Sequence, residues 1–394
     1  MICIFFLFLS CSQQTSMKQD ETNTDETNTD ENNETVEAGE EIESEDGVEF
    51  MVIEHNKEND QWQLAVHSME NWSDEHRTQI LTKTYPESII RHKHDFLWLL
   101  ERGGQPERIV QYDPNDLSEP KQEFVFSSNE IVYPNDITLC DEKVFVTLFE
   151  STDVLVLDAS NFHEIARISL DNYADGDGKP EASTLMCKEN YVFVSLHRID
   201  RRDTPSVQLG SQWVVFDPNT YEEIAVFDDQ GYRSDIIDIP KTPYVGSIIR
   251  PHIEVSGTPG FWIFDVLEEI YYSQIYFIYN DKTIFDTAIG NEKITHLATN
   301  YADEATWMFC HDFRPGETIP GYSYDELVPV LHSFVALTMN DADEVWLMLH
   351  SNDESNLQYT LLSIDPNTCM AIGSELPIGT NTITDIELVQ KSEE

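Results

Sequence analysis

Between Asp171 and Glu181 four carboxylates, Asp171, Asp175, Asp177 and Glu181, are interleaved with Gly176 and Gly178. Oxygen ligands at alternate positions around a tight glycine turn are what Ca²⁺ requires. The four are therefore expected as ligands of a calcium-type site, with calcium as the implied cofactor. The loop is not an EF-hand, because Tyr173 takes a ligand position and Ala182 stands where the bidentate glutamate belongs. The competing reading is a solvated turn that uses Asp-Gly steps for their backbone angles.

Other chemistry-bearing residues are few. His92 and His94 are one residue apart, which places both on one face of a strand, and His311 adjoins Cys310 and Asp312. Neither group supplies the three ligands a zinc site needs. The chain has no Gly-x-Ser-x-Gly, Walker loop or Gly-x-Gly-x-x-Gly, so hydrolase and nucleotide motifs are missing and no catalytic residue is assigned. Cys140, Cys187, Cys310 and Cys369 make an even set, which in an exported protein invites disulfides. Cys140 and Cys187 hold equivalent places in adjacent repeats, however, and such places exceed the bridging distance of about 7 Å except near a shared axis. Buried free thiols are expected.

The N-terminus sets the compartment. Ile2 to Leu9 is an uncharged apolar run ending at Leu9-Ser10-Cys11. It is too short to span a bilayer and suits a signal-peptide core. A small residue before Cys after such a run resembles a bacterial lipoprotein cleavage box, which makes Cys11 the expected lipidated residue and residues 1–11 the leader. In residues 12–47 the pentapeptide Asp20-Glu21-Thr22-Asn23-Thr24 repeats at Asp25 and decays at Asp30. With no aromatic and almost no aliphatic residue, this stretch is expected as a disordered acidic linker.

Charge continues into the body. The chain carries −51 in all, and residues 58–394 hold 59 acids against 21 Lys and Arg, a formal charge of −38. Such a body repels nucleic acid and anionic lipid, so neither is an expected partner. Membrane attachment would come through the lipid anchor alone.

The elements that position these groups are read from a repeat. Pro134-Asn135-Asp136-Ile137-Thr138-Leu139-Cys140 leads into Val144-Phe145-Val146-Thr147-Leu148, then Val154-Leu155-Val156-Leu157-Asp158 and Glu164-Ile165-Ala166-Arg167-Ile168. The order returns from Glu181 to Phe227, again from Glu344 to Asn367, and earlier from Asp95 to Asn115. Each copy supplies about four strands, with Asp-Pro-Asn or Asp-Ala-Ser turning into the last. Four strands per unit, at a period of about forty to fifty residues, describes propeller blades. Residues 48–394 are thus expected to form one all-β propeller of about seven four-stranded blades. The alternating segment Thr382 to Leu388 has no blade of its own and is expected to pair with N-terminal strands, closing the ring.

These blades resemble YVTN-type propellers. Over 134–224 the chain is similar to uncharacterised propeller lipoproteins of Gram-negative bacteria, which share an Asp/Gly-rich loop ending in Pro-Glu and then a "lyVsLqrld" strand. Here those are Asp175 to Glu181 and Tyr191-Val192-Phe193-Val194-Ser195-Leu196-His197-Arg198-Ile199-Asp200. The resemblance implies fold and a place in the cell envelope, anchored by lipid at the outer membrane on its periplasmic or outer face, and no established activity. Two function classes stay open. One is a monomeric binding or scaffolding module for a protein or small ligand. The other is a metal-dependent hydrolase or lyase with a central-channel site.

Overall fold

The computed structural model describes residues 48–202 apart from 58 and 70–75, then 207–228, the strands between 232 and 350, and 359–389 apart from 366, 380 and 381. The leader, Cys11 and the acidic linker lie outside these residues. The described chain is all-β apart from one short 3₁₀ turn, Asp171–Tyr173. Among the described residues, seven antiparallel sheets of four strands follow one another, with a two-stranded hairpin added at Ile199–Asp200 and Val207–Gln208. Sheets 2 to 7 are each built from strands in chain order, over 89–125, 134–169, 182–228, 232–272, 282–330 and 333–379, with the hairpin inserted between the second and third strands of sheet 4.

Sheet 1 differs. Its strands Val48–Asn56, Gln61–Met69 and His76–Lys83 are completed by the C-terminal strand Thr382–Leu388, which pairs antiparallel with Val48–Asn56. Val52 faces Ile386 and Phe50 faces Leu388, and the Val389 N–H donates to the Glu49 carbonyl at 2.9 Å. The expected use of the last strand is therefore observed, and it covers an edge that sheet 1 would otherwise expose.

The leading strands (Thr382–Leu388 in sheet 1 and the first strand of each other sheet) touch their neighbours in cyclic order. Between sheets 5 and 6 the contact with the leading strand of sheet 6 is made mainly by Tyr244–Arg250, with Gly260–Asp265 adding to it. Apolar side chains fill the gaps between sheet faces. Phe50 and Val52 pack on Trp346, Met348 and Leu361 between sheets 1 and 7. Trp98, Leu100, Val144, Val146 and Leu155 pack between sheets 2 and 3, and Phe145, Val154, Val156, Val192 and Val194 between sheets 3 and 4. Period-2 alternation of apolar residues on both faces is what feeds these slabs.

The repeated residues have identifiable work. Asp113, Asp158, Asp217 and Asp365 each accept the backbone N–H two residues on, at 2.9, 2.8, 2.7 and 2.8 Å. These are Asx turns. Four residues after three of these acids, Phe162, Tyr221 and Cys369 adopt positive φ and donate their N–H back to the carbonyl of the same Asp. The hydroxyl in the second strand answers a bulge in the first. The Asp136 N–H donates to Thr147 Oγ1 at 2.9 Å and the Thr184 N–H to Ser195 Oγ at 3.0 Å, beside register shifts in both leading strands. A bulge removes an N–H from the ladder, and a hydroxyl two atoms long reaches it.

Two expectations are corrected. The four cysteines are bridged, Cys140 to Cys187 and Cys310 to Cys369, each pair with Cα atoms 5.5 Å apart. Cys140 and Cys187 lie on the leading strands Pro134–Cys140 and Ala182–Lys188, where adjacent sheets approach most closely. The two leading strands come close enough there for equivalent positions to bridge. His94 does not share a strand face with His92. The strand Ile89–Lys93 ends before it, and His94 and Asp95 form a two-residue hairpin turn with φ of 54° and 60°. Positive φ at both central residues is the type I′ pattern. Its Nε2 lies 3.0 Å from Thr138 Oγ1.

Candidate functional site

Antiparallel topology puts three connections at the same end of sheets 3 and 4. They are the turn after Leu148, the 170–181 connection between the sheets, and the extension that begins at His197. Each is pinned to the next by main chain. The Phe149 and Glu150 N–H groups donate to the Tyr133 and Val132 carbonyls, and in the next sheet His197 and Arg198 donate to Glu181 and Pro180. Glu181 holds φ 47° just before its leading strand, as Tyr133 does at 51°.

The loop itself is a nest of Asx turns. The Asp177 N–H donates to Asp175 Oδ1 at 3.0 Å, and the Lys179 N–H to Asp177 Oδ1 at 3.1 Å. Gly178 has φ +87° with open space around it, so the backbone conformation alone calls for glycine there. Gly176 is constrained by contact instead: a Cβ there would lie 1.7 Å from Arg202 Nη2, so any larger residue would have to displace the Arg202 guanidinium from its pairing with Asp200.

Of the four carboxylates expected as ligands, three come together. Asp175, Asp177 and Glu181 each offer an oxygen, and these oxygens lie within 4.8 Å of one another. Asp171 is not among them. It sits in the exposed 3₁₀ turn with its N–H donated to Ser169 Oγ, because that turn carries it away before the loop closes.

Residues that sequence reasoning passed over complete the group. Arg201 donates to Asp177 Oδ2 at 3.3 Å and to Glu181 Oε1 at 3.1 Å, and it also pairs with Glu150, which Lys179 joins from the loop. The Ile199 N–H donates to Glu181 Oε2 at 2.8 Å. The Arg-Ile-Asp-Arg-Arg run at 198–202 was the available signal, a cluster of positive charge in a strongly acidic body.

Electrostatics show where charge is unmet. Burial pushes the Glu181 carboxyl up to about 7; Asp175 and Asp177 add to this, while the Ile199 N–H and Arg201 oppose it. Asp175 is also raised, first by burial and then by the Asp177 carboxylate, and its Oδ2 is buried with no hydrogen-bond partner among the described residues. Burial pushes Glu150 up as well, but Arg201 and Lys179 outweigh it and hold it below the ordinary carboxylate range. Four carboxylates thus face two cations, and the negative excess falls on the Asp175–Glu181 side.

A second polar group lies along the leading strands. Lys93 Nζ is 2.8 Å from both Asp136 oxygens and 3.2 Å from the Leu185 carbonyl. Arg91 stands 3.5 Å from Asp136 and 3.7 Å from Asp385. Both carboxylates also accept a main-chain N–H from the following sheet, so they are engaged in holding sheets together.

No known family's sequence profile matches the chain, and no curated protein matches it. Solved structures do. A hypothetical selenium-binding protein from Sulfolobus tokodaii superposes with a TM-score of 0.57 at 10% identity, over 86% of this chain and 93% of that one. A putative 6-phosphogluconolactonase from Bacteroides fragilis gives 0.57 at 9%, over 88% and 99%. Apo AztD from Citrobacter koseri gives 0.51 at 10%, over 87% and 98%. All are β-propeller-like proteins, and identities this low speak for fold alone. The chain has a β-propeller-like fold.

Proposed function

We propose that this chain is an exported, lipid-anchored binding module of the bacterial cell envelope, a closed ring of seven blades akin to the YVTN-type propeller lipoproteins. The observation that carries the reading is the pair of disulfides between neighbouring sheets, Cys140–Cys187 and Cys310–Cys369. Bridges of this kind form and persist outside the reducing cytosol, which agrees with the apolar run ending at Cys11. The acids along the leading strands act as inter-sheet acceptors, as a rigid scaffold requires. That use favours binding over the alternative of a metal-dependent hydrolase or lyase with a central-channel site. The test is expression of the full chain and of Cys11→Ser in a Gram-negative host, followed by detergent phase partition of the envelope. The parent should enter the detergent phase and Cys11→Ser should not. Equal partition, or retention of both in the cytosol, contradicts the reading.

A second feature of this reading rests on the converged oxygens of Asp175, Asp177 and Glu181 and the unmatched Asp175 Oδ2. The donor set fits a calcium-type ion, with Arg201 a competitor for two of its three carboxylates. Calcium at about a hundredfold over its Kd would add about 2.7 kcal/mol of stability. Thermal melting with Ca²⁺ against chelator should show that gain in the parent and lose it in Asp175→Asn/Asp177→Asn. Equal stabilisation of both would assign the effect to general screening of an acidic surface.

A further inference from the structure

Among the described residues, the hydrogen bonds between leading strands follow one rule at three joints. The Ile90 N–H donates to Asp385 Oδ2 at 2.6 Å, the Leu185 N–H to Asp136 Oδ2 at 2.9 Å, and the Ile236 N–H to Thr184 Oγ1 at 2.7 Å. In each case the acceptor side chain is on the leading strand of one sheet and the donor is on the leading strand of the next. Thr184 and Leu185 show the register directly. Thr184 is the acceptor toward sheet 5, and its neighbour Leu185 is the donor toward sheet 3. A register shift accompanies the acceptor in sheets 1, 3 and 4.

Sheet 2 departs from the rule in an instructive way. Its residue at this place is Ile89, directly before the donor Ile90, and an isoleucine cannot accept. The 2–3 joint is made from the other direction, by Lys93 and Arg91 reaching Asp136 in sheet 3.

The joints are not equally protected. The 3–4 joint has a clasp, a disulfide, and the bonds from Thr147 and Asn135 to the Ser183 carbonyl. The 1–2 joint sits beside a strand that reaches sheet 1 only at the end of the chain, and no disulfide touches either sheet. Its clasp residue, Asp385, lies on that last strand and is ringed by charge only from sheet 2, where Arg91 stands at 3.7 Å, among the described ion pairs.

We propose that Asp385 is the latch of the ring: by binding the Ile90 N–H and Arg91 it fixes the C-terminal strand against sheet 2, so that its loss frees this strand while the other sheets stay closed. The inference rests on the closed-ring reading above. An unlatched strand 382–388 leaves Val48–Asn56 with an unpaired edge, so the device controls whether sheet 1 presents an edge to other chains.

Amide hydrogen exchange on the full chain tests it, comparing the parent with Asp385→Ala, Asp385→Asn and Asp136→Ala. In the parent, amides of 382–388 and of Val48–Asn56 should be protected; free exchange there would overturn the closed ring itself. Asp385→Ala should speed exchange in those two strands by about ten- to a hundredfold, the loss of a hydrogen bond to a charged group. Asp385→Asn keeps an acceptor for Ile90 and loses the charge facing Arg91, so it should fall between parent and Asp385→Ala. Asp136→Ala should act on 134–140 and 182–188 instead. Unchanged exchange at 382–388 in Asp385→Ala, or acceleration spread evenly over all sheets, refutes the latch. Should Asp385→Ala not fold, the same comparison is read from Asp385→Asn.

Discussion

Replacing Cys140 and Cys187 together by Ala is expected to lower the stability of the oxidised protein by about 4 kcal/mol. The separation of 47 residues sets the figure, because a bridge over that length removes about this much loop-closure entropy from the unfolded chain. The second bridge spans 59 residues and should be worth a similar amount. The two act at different places. Cys140–Cys187 ties leading strands, whereas Cys310–Cys369 ties the third strand of sheet 6 to the outer turn of sheet 7. Guanidinium unfolding with and without reductant measures the sum. Each double variant measures one bridge, and an unfolding midpoint indifferent to reductant would show that the bridges add nothing.

Asp136→Ala carries the next largest expected loss, about 3 kcal/mol. Asp136 is 2% exposed, and its carboxylate is shared by Lys93, Arg91 and the Leu185 N–H. Removing it strands a lysine that is itself mostly covered, together with a buried N–H, and breaking a buried pair this way costs more than the pair was worth. Asp136→Asn keeps an acceptor for Leu185 and should lose about half as much. A double-mutant cycle with Lys93→Met separates the ion pair from the main-chain bond. If Asp136→Ala costs under about 1 kcal/mol, the cluster is solvated and does not join the sheets.

The repeat made most of the fold readable. Val-Phe-Val-Thr-Leu and Val-Phe-Val-Ser-Leu mark second strands, and the hydroxyl they share patches a bulge one strand away, so a residue type recurs because a backbone defect recurs. The turn acids Asp113, Asp158, Asp217 and Asp365 were legible for the same reason, since an Asx turn is local. Thr382 to Leu388 could be placed because an alternating segment without a hairpin partner must pair elsewhere.

Long-range pairings were not legible in the same way. Whether Cys140 can reach Cys187 depends on which strand of each sheet lies innermost, and spacing does not encode that. Asp171 satisfied the alternate-residue pattern, yet a single 3₁₀ turn removed it from the group. Arg201 lies 51 residues from Glu150 and 20 from Glu181, so the basic run at 198–202 marks the cations, but which carboxylates they meet follows only from the hairpin added to sheet 4. The loop could be recognised as acidic, but its partial neutralisation could not.

The proposed export, lipidation at Cys11 and bridging between sheets can be read together from a non-reducing peptide mass map of the full chain isolated from the envelope. The N-terminal peptide should begin at a lipid-modified Cys11, and the same digest should hold the linked peptides Cys140–Cys187 and Cys310–Cys369. A peptide that still carries Met1 to Ser10, with Cys140, Cys187, Cys310 and Cys369 as free thiols, would overturn the proposal.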